Sequence, residues 1–577
     1  MLHSLKRLWD HLNKRRQIQL LSLLFLMLLA SFSEMLSIGA VVPFLAVLTA
    51  PDKIFQIEIL APAINFLNID DPSQLALPIT VLFASLSLFA GIVRVVLIFV
   101  STRISYAVGS DLSLNMFRKT LHQPYLVHLS RNSSSIVNIL STKLDTVVGA
   151  IILNGLTFIS NIVMIIAILC ILFYINFPIT LITFISFGVV YFITIKIIRD
   201  RVLNNGYQIS SDSTHLVKLI QEAMGSIRDL LIHGYQETYC RHYKETDQSM
   251  RKAQAINHSI VNSPRFIMES FALLFISILA YILVNQEQGI LRAIPIMGTI
   301  ALGAQRLLPM MQQAYSMWVG IIAAQGPLDE VLVLLQQKEK HNQLPNHGKI
   351  SFKDSIELKN ISFSYQNDRE AIFKKINLTI KKGSRIGIIG KTGSGKTTLV
   401  DIILGLLHPS EGHMLVDGKK MTPLNIRTWQ KNIAHVPQSI FLIDATIAEN
   451  IAFGIPSSEI NYDRLNEICN LAQLNDFVSK LLSGLNTKVG ERGVQLSGGQ
   501  RQRIGIARAL YRQSDIIIFD EATSALDNET ERAIIDTINH LSKDITILII
   551  AHRVSTLKNC EKVIEIKDKR LSFVGVK

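Results

Sequence analysis

Six long apolar runs crowd the first half of the chain, at about residues 18–48, 75–108, 147–174, 179–198, 260–284 and 293–324. A hydrocarbon layer ~30 Å thick needs roughly 20 apolar residues in a helix, so each run is long enough to cross a bilayer. The first is too long for a secretory signal and continues through Pro43, which predicts a retained transmembrane helix. Only Ile175-Asn176-Phe177-Pro178 separates the third run from the fourth, a tight helical hairpin. Six crossings leave both ends of this region on one side. With 577 residues the chain is too long for one hydrophobic core. Hydrophobic residues make up 49% and charged ones 18%, which excludes disorder and argues against a wholly soluble enzyme.

Loop charges set the orientation. Lys+Arg number 58 against 45 Asp+Glu, a formal +13. The cations sit in particular loops: Lys6, Arg7, Lys14, Arg15 and Arg16 before the first run, Arg103 to Lys143 after the second, and Arg199 to Lys252 after the fourth. Opposite loops hold only Lys53 among several acids and Arg292 beside Glu287. The positive-inside rule makes the termini and the long loops cytoplasmic, and the basic balance reflects those loops, with no nucleic-acid partner expected. Cys170, Cys240, Cys469 and Cys560 form no C-x-x-C pair and read as reduced, structural thiols.

The long cytoplasmic connections predict helices that run well past the bilayer. At their turning points lie 121–133 and 222–239, polar segments studded with aliphatic residues, read as short helices that dock on the next domain. The expected organisation is a transmembrane domain over 1–335, a linker over 336–352 containing Pro345 and Gly348, and a soluble α/β domain over 353–577.

In the second half, the strand Ser384–Gly390 leads into Gly390-Lys391-Thr392-Gly393-Ser394-Gly395-Lys396-Thr397-Thr398, which matches G-x-x-x-x-G-K-[ST]. Gly390, Gly393 and Gly395 let the backbone curl so that N–H groups face phosphate oxygens, and the following helix aims its positive end at them. Lys396 is a point charge for the β- and γ-phosphates, and the Thr397 hydroxyl can bind Mg²⁺. A second apolar strand, Ile516–Phe519, ends in Asp520 and Glu521. Carboxylates at the C-terminal edge of a buried parallel strand face the ligand crevice. Asp520 is placed to hold Mg²⁺, and Glu521 to orient and deprotonate the attacking water. Ser497, Gly498, Gly499 and Gln500 open a further helix and make a second anion site.

This half resembles the nucleotide-binding domain of ATP-binding-cassette (ABC) transporters. Gly390–Thr398 looks like Walker A, Ile516–Glu521 like Walker B, and Leu496–Gln500 like the signature motif. The resemblance implies that Gln438 senses Mg²⁺ and the attacking water. Asp527, in Ser524–Asp527, would cross a dimer interface, His552 would contact the γ-phosphate, and Tyr365 would stack on adenine. Gly490–Gly493 resembles the segment by which exporters touch the partner's loops. The whole chain fits a half-transporter of the type IV exporter fold: six membrane helices, then an α/β P-loop domain. Two composite sites, each using ATP and Mg²⁺, imply a second copy of the chain as partner.

Ionisable residues inside apolar runs are costly and so are functional candidates. Glu34, Arg94, Arg265, Glu269 and Arg306 qualify. Glu269 lies one turn from Arg265, so those two can instead staple a helix. Three arginines on different spans, Arg94, Arg265 and Arg306, suit a cavity that grips a diphosphate. The stretches Ser33–Phe44, Ser263–Glu269 and Gln305–Pro309 resemble bacterial flippases for lipid-linked oligosaccharides. That implies a polyprenyl-pyrophosphate glycan as cargo, the inner membrane as location, and an external amphipathic helix over 54–67. The alternatives are a lipid A, phospholipid or multidrug exporter and, in another class, an ATP-gated channel or regulator. No protease domain precedes the first run, which argues against a peptide exporter.

Overall fold

The structure is a computed structural model. It describes residues 1–41, 44, 47, 71–175, 177–284, 289–337, 350–365, 370–522, 528–551 and 557–574. Side chains are not described at 289–304 and 306, or at a few scattered positions. The chain divides into two compact units, Met1–His122 with Arg131–Glu339, and Gln123–Ser130 with Lys340–Lys577.

The first unit is helical throughout. Its elements are α1 (Leu2–Asp10), α2 (Lys14–Gly39), α3 (Ala76–Leu121), α5 (Ser133–Tyr174), α6 (Phe177–Gly225), α7 (Ile227–His233), α8 (Gln236–Val284), α9 (Gly289–Ala323) and α10 (Gln325–Leu335), with α4 (Tyr125–Ser130) grouped in the second unit. Five of these helices are long and apolar enough to cross a membrane among the described residues. A sixth follows if Leu307–Ala323 and Gln325–Leu335, bent by 52°, form one span. Large apolar side chains such as Phe25, Leu88, Ile92 and Phe99 point outward, as lipid contact requires. The long helices outrun their apolar stretches, as the connections predicted, and short helices lie at both expected turning points. The expected external helix over 54–67 lies outside the described residues.

Sequence pattern explains how the helices associate. Leu20, Leu23, Met27 and Ala30 of α2 recur every three or four residues and bury against Val93 and Leu97 of α3. A second core gathers Val108, Leu112 and Met116 of α3 with Val147 and Ile151 of α5 and Leu328, Val331 and Leu332 of α10. One charged pair is drawn into this packing. Lys143 is 2% exposed, and its Nζ donates to Glu330 Oε1 at 2.5 Å and to Thr214 Oγ1 at 2.7 Å. Ser210 Oγ donates to the same Glu330 oxygen at 2.8 Å. The pair is buried on the lysine side only, Glu330 being 37% exposed, and the Thr214 hydroxyl completes the coordination of the buried ammonium.

The second unit holds two sheets. Strands β1 (Ser355–Phe363), β2 (Phe373–Lys381), β4 (Glu411–Val416) and β5 (Lys419–Lys420) form an antiparallel sheet in the order β2-β1-β4-β5. The other sheet uses β3 (Arg385–Gly390), β6 (Ile433–Val436), β7 (Ile516–Asp520), β8 (Thr546–Ile550), β9 (Lys562–Lys567) and β10 (Arg570–Val574), in the order β10-β9-β3-β8-β7-β6. All its pairings are parallel except β9 with β10. Both β7 and β8 are buried along their whole length, the mark of strands covered on two faces.

Close helix crossing yields a test. A Cβ at Gly206 of α6 would lie 2.3 Å from the Ala323 carbonyl oxygen, whereas one at Gly188 of the same helix meets nothing within 4 Å. Gly206→Ala is expected to destabilise by about 1–3 kcal/mol. It should lower the apparent melting temperature of detergent-solubilised protein, while Gly188→Ala leaves it unchanged or slightly raised. Equal behaviour of the two variants would contradict the crossing.

Candidate nucleotide site

Parallel pairing brings the C-terminal ends of four strands to one edge of the sheet. β3 ends at Gly390, where the glycine-rich loop begins, and β7 ends at Asp520, in register with Ile550 at the end of β8. β6 ends at Val436, two residues before Gln438. The loop then enters α11 (Lys396–Ile403) through Gly395, whose φ of +101° favours glycine. A Cβ at Gly390 would meet the Ser394 hydroxyl at 2.6 Å, so the cradle has no room for one. Lys396 is 8% exposed, and its ammonium donates to the Gly390 carbonyl at 2.8 Å, holding the loop curled. The buried Ser394 hydroxyl has no hydrogen-bond partner among the described residues. That orphaned group and the curled amides fit a phosphate chain.

The carboxylates stand beside the cradle. Asp520 is 7% exposed, and burial, then Glu521, push its carboxyl above the usual range while Lys396 opposes them. Behind it, Asp401 of α11 is pushed up to about 6 by burial and by the charge of Asp520. Buried carboxylates that are costly to ionise alone are a donor set that suits a hard divalent cation. Thr397, Asp520 and Gln438 are the residues able to hold Mg²⁺, which would neutralise phosphate charge. Glu521 adopts φ +51°, a strained value for a non-glycine residue. Its surroundings hold it there. Its N–H donates to the Ile550 carbonyl at 3.0 Å, its carbonyl accepts from Gln502 Nε2 at 3.3 Å, and Gln438 Nε2 donates to its Oε2 at 2.6 Å. A carboxylate fixed beside the phosphate cradle can take a proton from water.

Tyr365, the candidate for adenine stacking, is tied to the same helix, its hydroxyl 3.1 Å from Thr398 Oγ1. At the second candidate anion site the structure shows a capped helix start. Ser497 caps α12 (Gly498–Tyr511): its hydroxyl accepts from the Gln500 N–H at 3.2 Å, and Gln500 Oε1 accepts from the Ser497 N–H at 2.8 Å. Ser497 and Gly498 are exposed, open to a ligand from outside. Asp527 and His552 lie outside the described residues.

Several contributors were not read from the sequence. Asp401 is the lone acid of its helix and follows Leu399 and Val400, a signal that was available. Gln502 supports Glu521 from within α12, and Arg508 pins the segment after Gln438 by donating to the carbonyls of Phe441 at 3.1 Å and Asn450 at 2.9 Å. Tyr125 of α4 packs on the core that includes Tyr365 and Ile372, and its phenol is pushed up by burial and by Asp401. Nothing in the local sequence announces the last three.

A family model described as "ABC transporter" matches residues 373–524, and one described as "ABC transporter transmembrane region" matches residues 21–291. The chain belongs to the ABC transporters. This ABC transporter is similar to an ATP-dependent lipid A-core flippase of Cupriavidus metallidurans, 29% identical over 86% of this chain and 83% of the relative. It is equally similar to the heterocyst differentiation ATP-binding protein HepA of a Nostoc species, 29% identical over 97% and 91%. The lipid A-core flippase of Salmonella typhimurium is 26% identical over 90% and 89%. A solved bacterial Atm1-family ABC exporter with ATP bound shares the fold, with a TM-score of 0.77 and 22% identity over 96% of this chain and 94% of that one. This transporter is therefore a half-transporter: a multi-pass membrane domain followed by a nucleotide-binding domain that uses ATP with Mg²⁺ and couples hydrolysis to export.

Two tests follow from the site. Glu521→Gln is expected to bind ATP normally and to lose about 10²–10⁴-fold in hydrolysis, the range of a general base. Turnover within tenfold of the wild type would contradict that role. His435 of β6 is buried, its Nε2 has no described partner, and burial holds its pKa at about 4. The unfolded imidazole titrates near 6.5, so between pH 6.5 and 4 only the unfolded chain gains the proton and stability falls. His435→Gln should flatten that fall by about 2 kcal/mol, read from thermal unfolding at pH 7 and pH 4.5.

Proposed function

We propose that two copies of this transporter pair, so that the Gly390–Thr398 cradle of one faces Ser497–Gln500 of the other across ATP. Glu521 serves as base, Gln438 and His552 position water and γ-phosphate, Asp527 crosses the interface, and Tyr365 stacks on adenine. The protein lies in the bacterial inner membrane with both termini cytoplasmic, in line with its loop charges. Its cargo is a lipid with a phosphorylated glycan head, which it flips between leaflets. The first reading is a polyprenyl-pyrophosphate oligosaccharide.

One observation carries the cargo reading. Arg94 sits half-buried within the α3 membrane helix, and no described carboxylate pairs with it. A cation kept in an apolar span without a partner invites an anionic cargo. Arg265 supports it in part. Its Nε donates to Glu269 Oε1 at 2.8 Å, the staple foreseen in the sequence, while the side chain stays 63% exposed with its terminal nitrogens available. The Arg306 side chain lies outside the described residues. Relatives named lipid A-core flippases favour a second reading, in which the head is that of lipid A.

Reconstituted vesicles separate the readings. ATP-dependent flipping of a polyprenyl-pyrophosphate glycan, with stimulated ATPase, is expected. Flipping of lipid A alone would replace the first reading with the second. Arg94→Ala and Arg306→Ala should keep basal hydrolysis and lose about tenfold or more in flipping, as removal of a charge-assisted contact does. Undiminished flipping in both would remove the anion argument.

A further inference from the structure

Helices α6 and α8 meet beside Tyr315 of α9 around a groove of about 530 Å³, within the ~300–1,000 Å³ range of small-molecule sites. Ile198, Ile256, Ile260, Pro264, Ile267 and Tyr315 make its wall, while Arg201 and Lys252 stand at its rim. The water–membrane boundary passes through it. On α6 the apolar run ends at Ile198 and Arg199 follows; on α8 the polar stretch gives way at Ile260. The two cations therefore lie on the polar side of the boundary, Ile198, Ile260, Pro264 and Ile267 lie at it or beyond it, and Ile256 stands one turn before it.

Two features suit the groove to an anionic amphiphile. Neither Arg201 nor Lys252 has a carboxylate partner among the described residues, although neighbouring Arg251 pairs with Asp247 at 3.3 Å and Lys218 with Glu222 at 3.7 Å. Pro264 has no N–H, which strands the carbonyl of Ile260 one turn before it. The Tyr315 hydroxyl donates to that carbonyl at 3.1 Å. The one polar group that the proline break exposes is thus answered from within the protein. Of the hydroxyls that also line the groove, those of Thr194 and Ser263 are spent on carbonyls of their own helices, at 2.8 and 2.6 Å, and Ser259 stands among the isoleucines, so the lining is mainly apolar and suits an alkyl chain better than a sugar.

We propose that this groove binds an anionic glycerophospholipid of the leaflet facing the basic loops, with its phosphate between Arg201 and Lys252 and one acyl chain along Ile256, Ile260 and Ile267. Basic pockets between membrane helices hold anionic headgroups in this way. Neither Arg94 nor Arg265 lines the groove, and the proposal does not depend on which lipid the transporter moves.

Full-length protein is incubated with phosphatidylglycerol or phosphatidylcholine, and retained lipid is counted by native mass spectrometry. Wild type should retain phosphatidylglycerol about thirtyfold over phosphatidylcholine, the size expected of two cations near the surface. Arg201→Gln with Lys252→Gln should bring the ratio near one, with basal ATPase intact. Ile256→Trp fills the apolar wall, leaves both cations in place, and should lower phosphatidylglycerol retention. It decides the matter if the double variant does not fold. Millimolar inorganic phosphate should not displace the lipid, and full displacement would reduce the groove to a simple anion site. An unchanged ratio in the double variant, undiminished retention in Ile256→Trp, or displacement by equimolar cargo lipid would each overturn the proposal.

Discussion

Burial of continuous apolar strands is the constraint on which the nucleotide half depends. β7 and β8 have no exposed position along their length, so every polar residue they deliver must come at a strand end. Because β3, β6, β7 and β8 run parallel, those ends share one edge. Gly390, Asp520 and Glu521 end or directly follow their strands and Gln438 comes two residues after its own, so all four reach that edge.

Strain is then held in place by redundancy. Glu521 keeps a left-handed backbone because Ile550, Gln502 and Gln438 each grip a different part of it. Gln502 belongs to α12, the helix that Ser497 caps, and Arg508 on the same helix holds the carbonyl of Phe441 just after Gln438. One helix therefore braces both Glu521 and the segment that follows Gln438. In the membrane half the equivalent brace is electrostatic: buried Lys143 ties α5 to Glu330 on α10, with Ser210 and Thr214 of α6 completing the set.

Much of this was legible in the sequence, for physical reasons. The apolar runs announced the membrane helices because lipid demands length and hydropathy, and the loop Gly390–Thr398 and the cap Ser497–Gln500 announced themselves because backbone curls and helix starts need fixed residues at fixed spacing. The Arg265–Glu269 staple was readable from its one-turn separation. Gln502, Arg508 and Tyr125 were not, since their roles come from elements distant in sequence that only the tertiary fold brings together. The bend at Ala324 and the membership of α4 in the second unit are tertiary in the same sense.

Each chain carries one glycine-rich loop and one capped helix start that is exposed at Ser497 and Gly498, and the proposed pairing joins them across ATP. Lipid nanodiscs sorted to hold a single copy or two copies of the protein test this directly through ATP turnover per chain. Two-copy discs should hydrolyse ATP and single-copy discs should be nearly silent. Equal turnover per chain from single-copy discs would contradict the shared site.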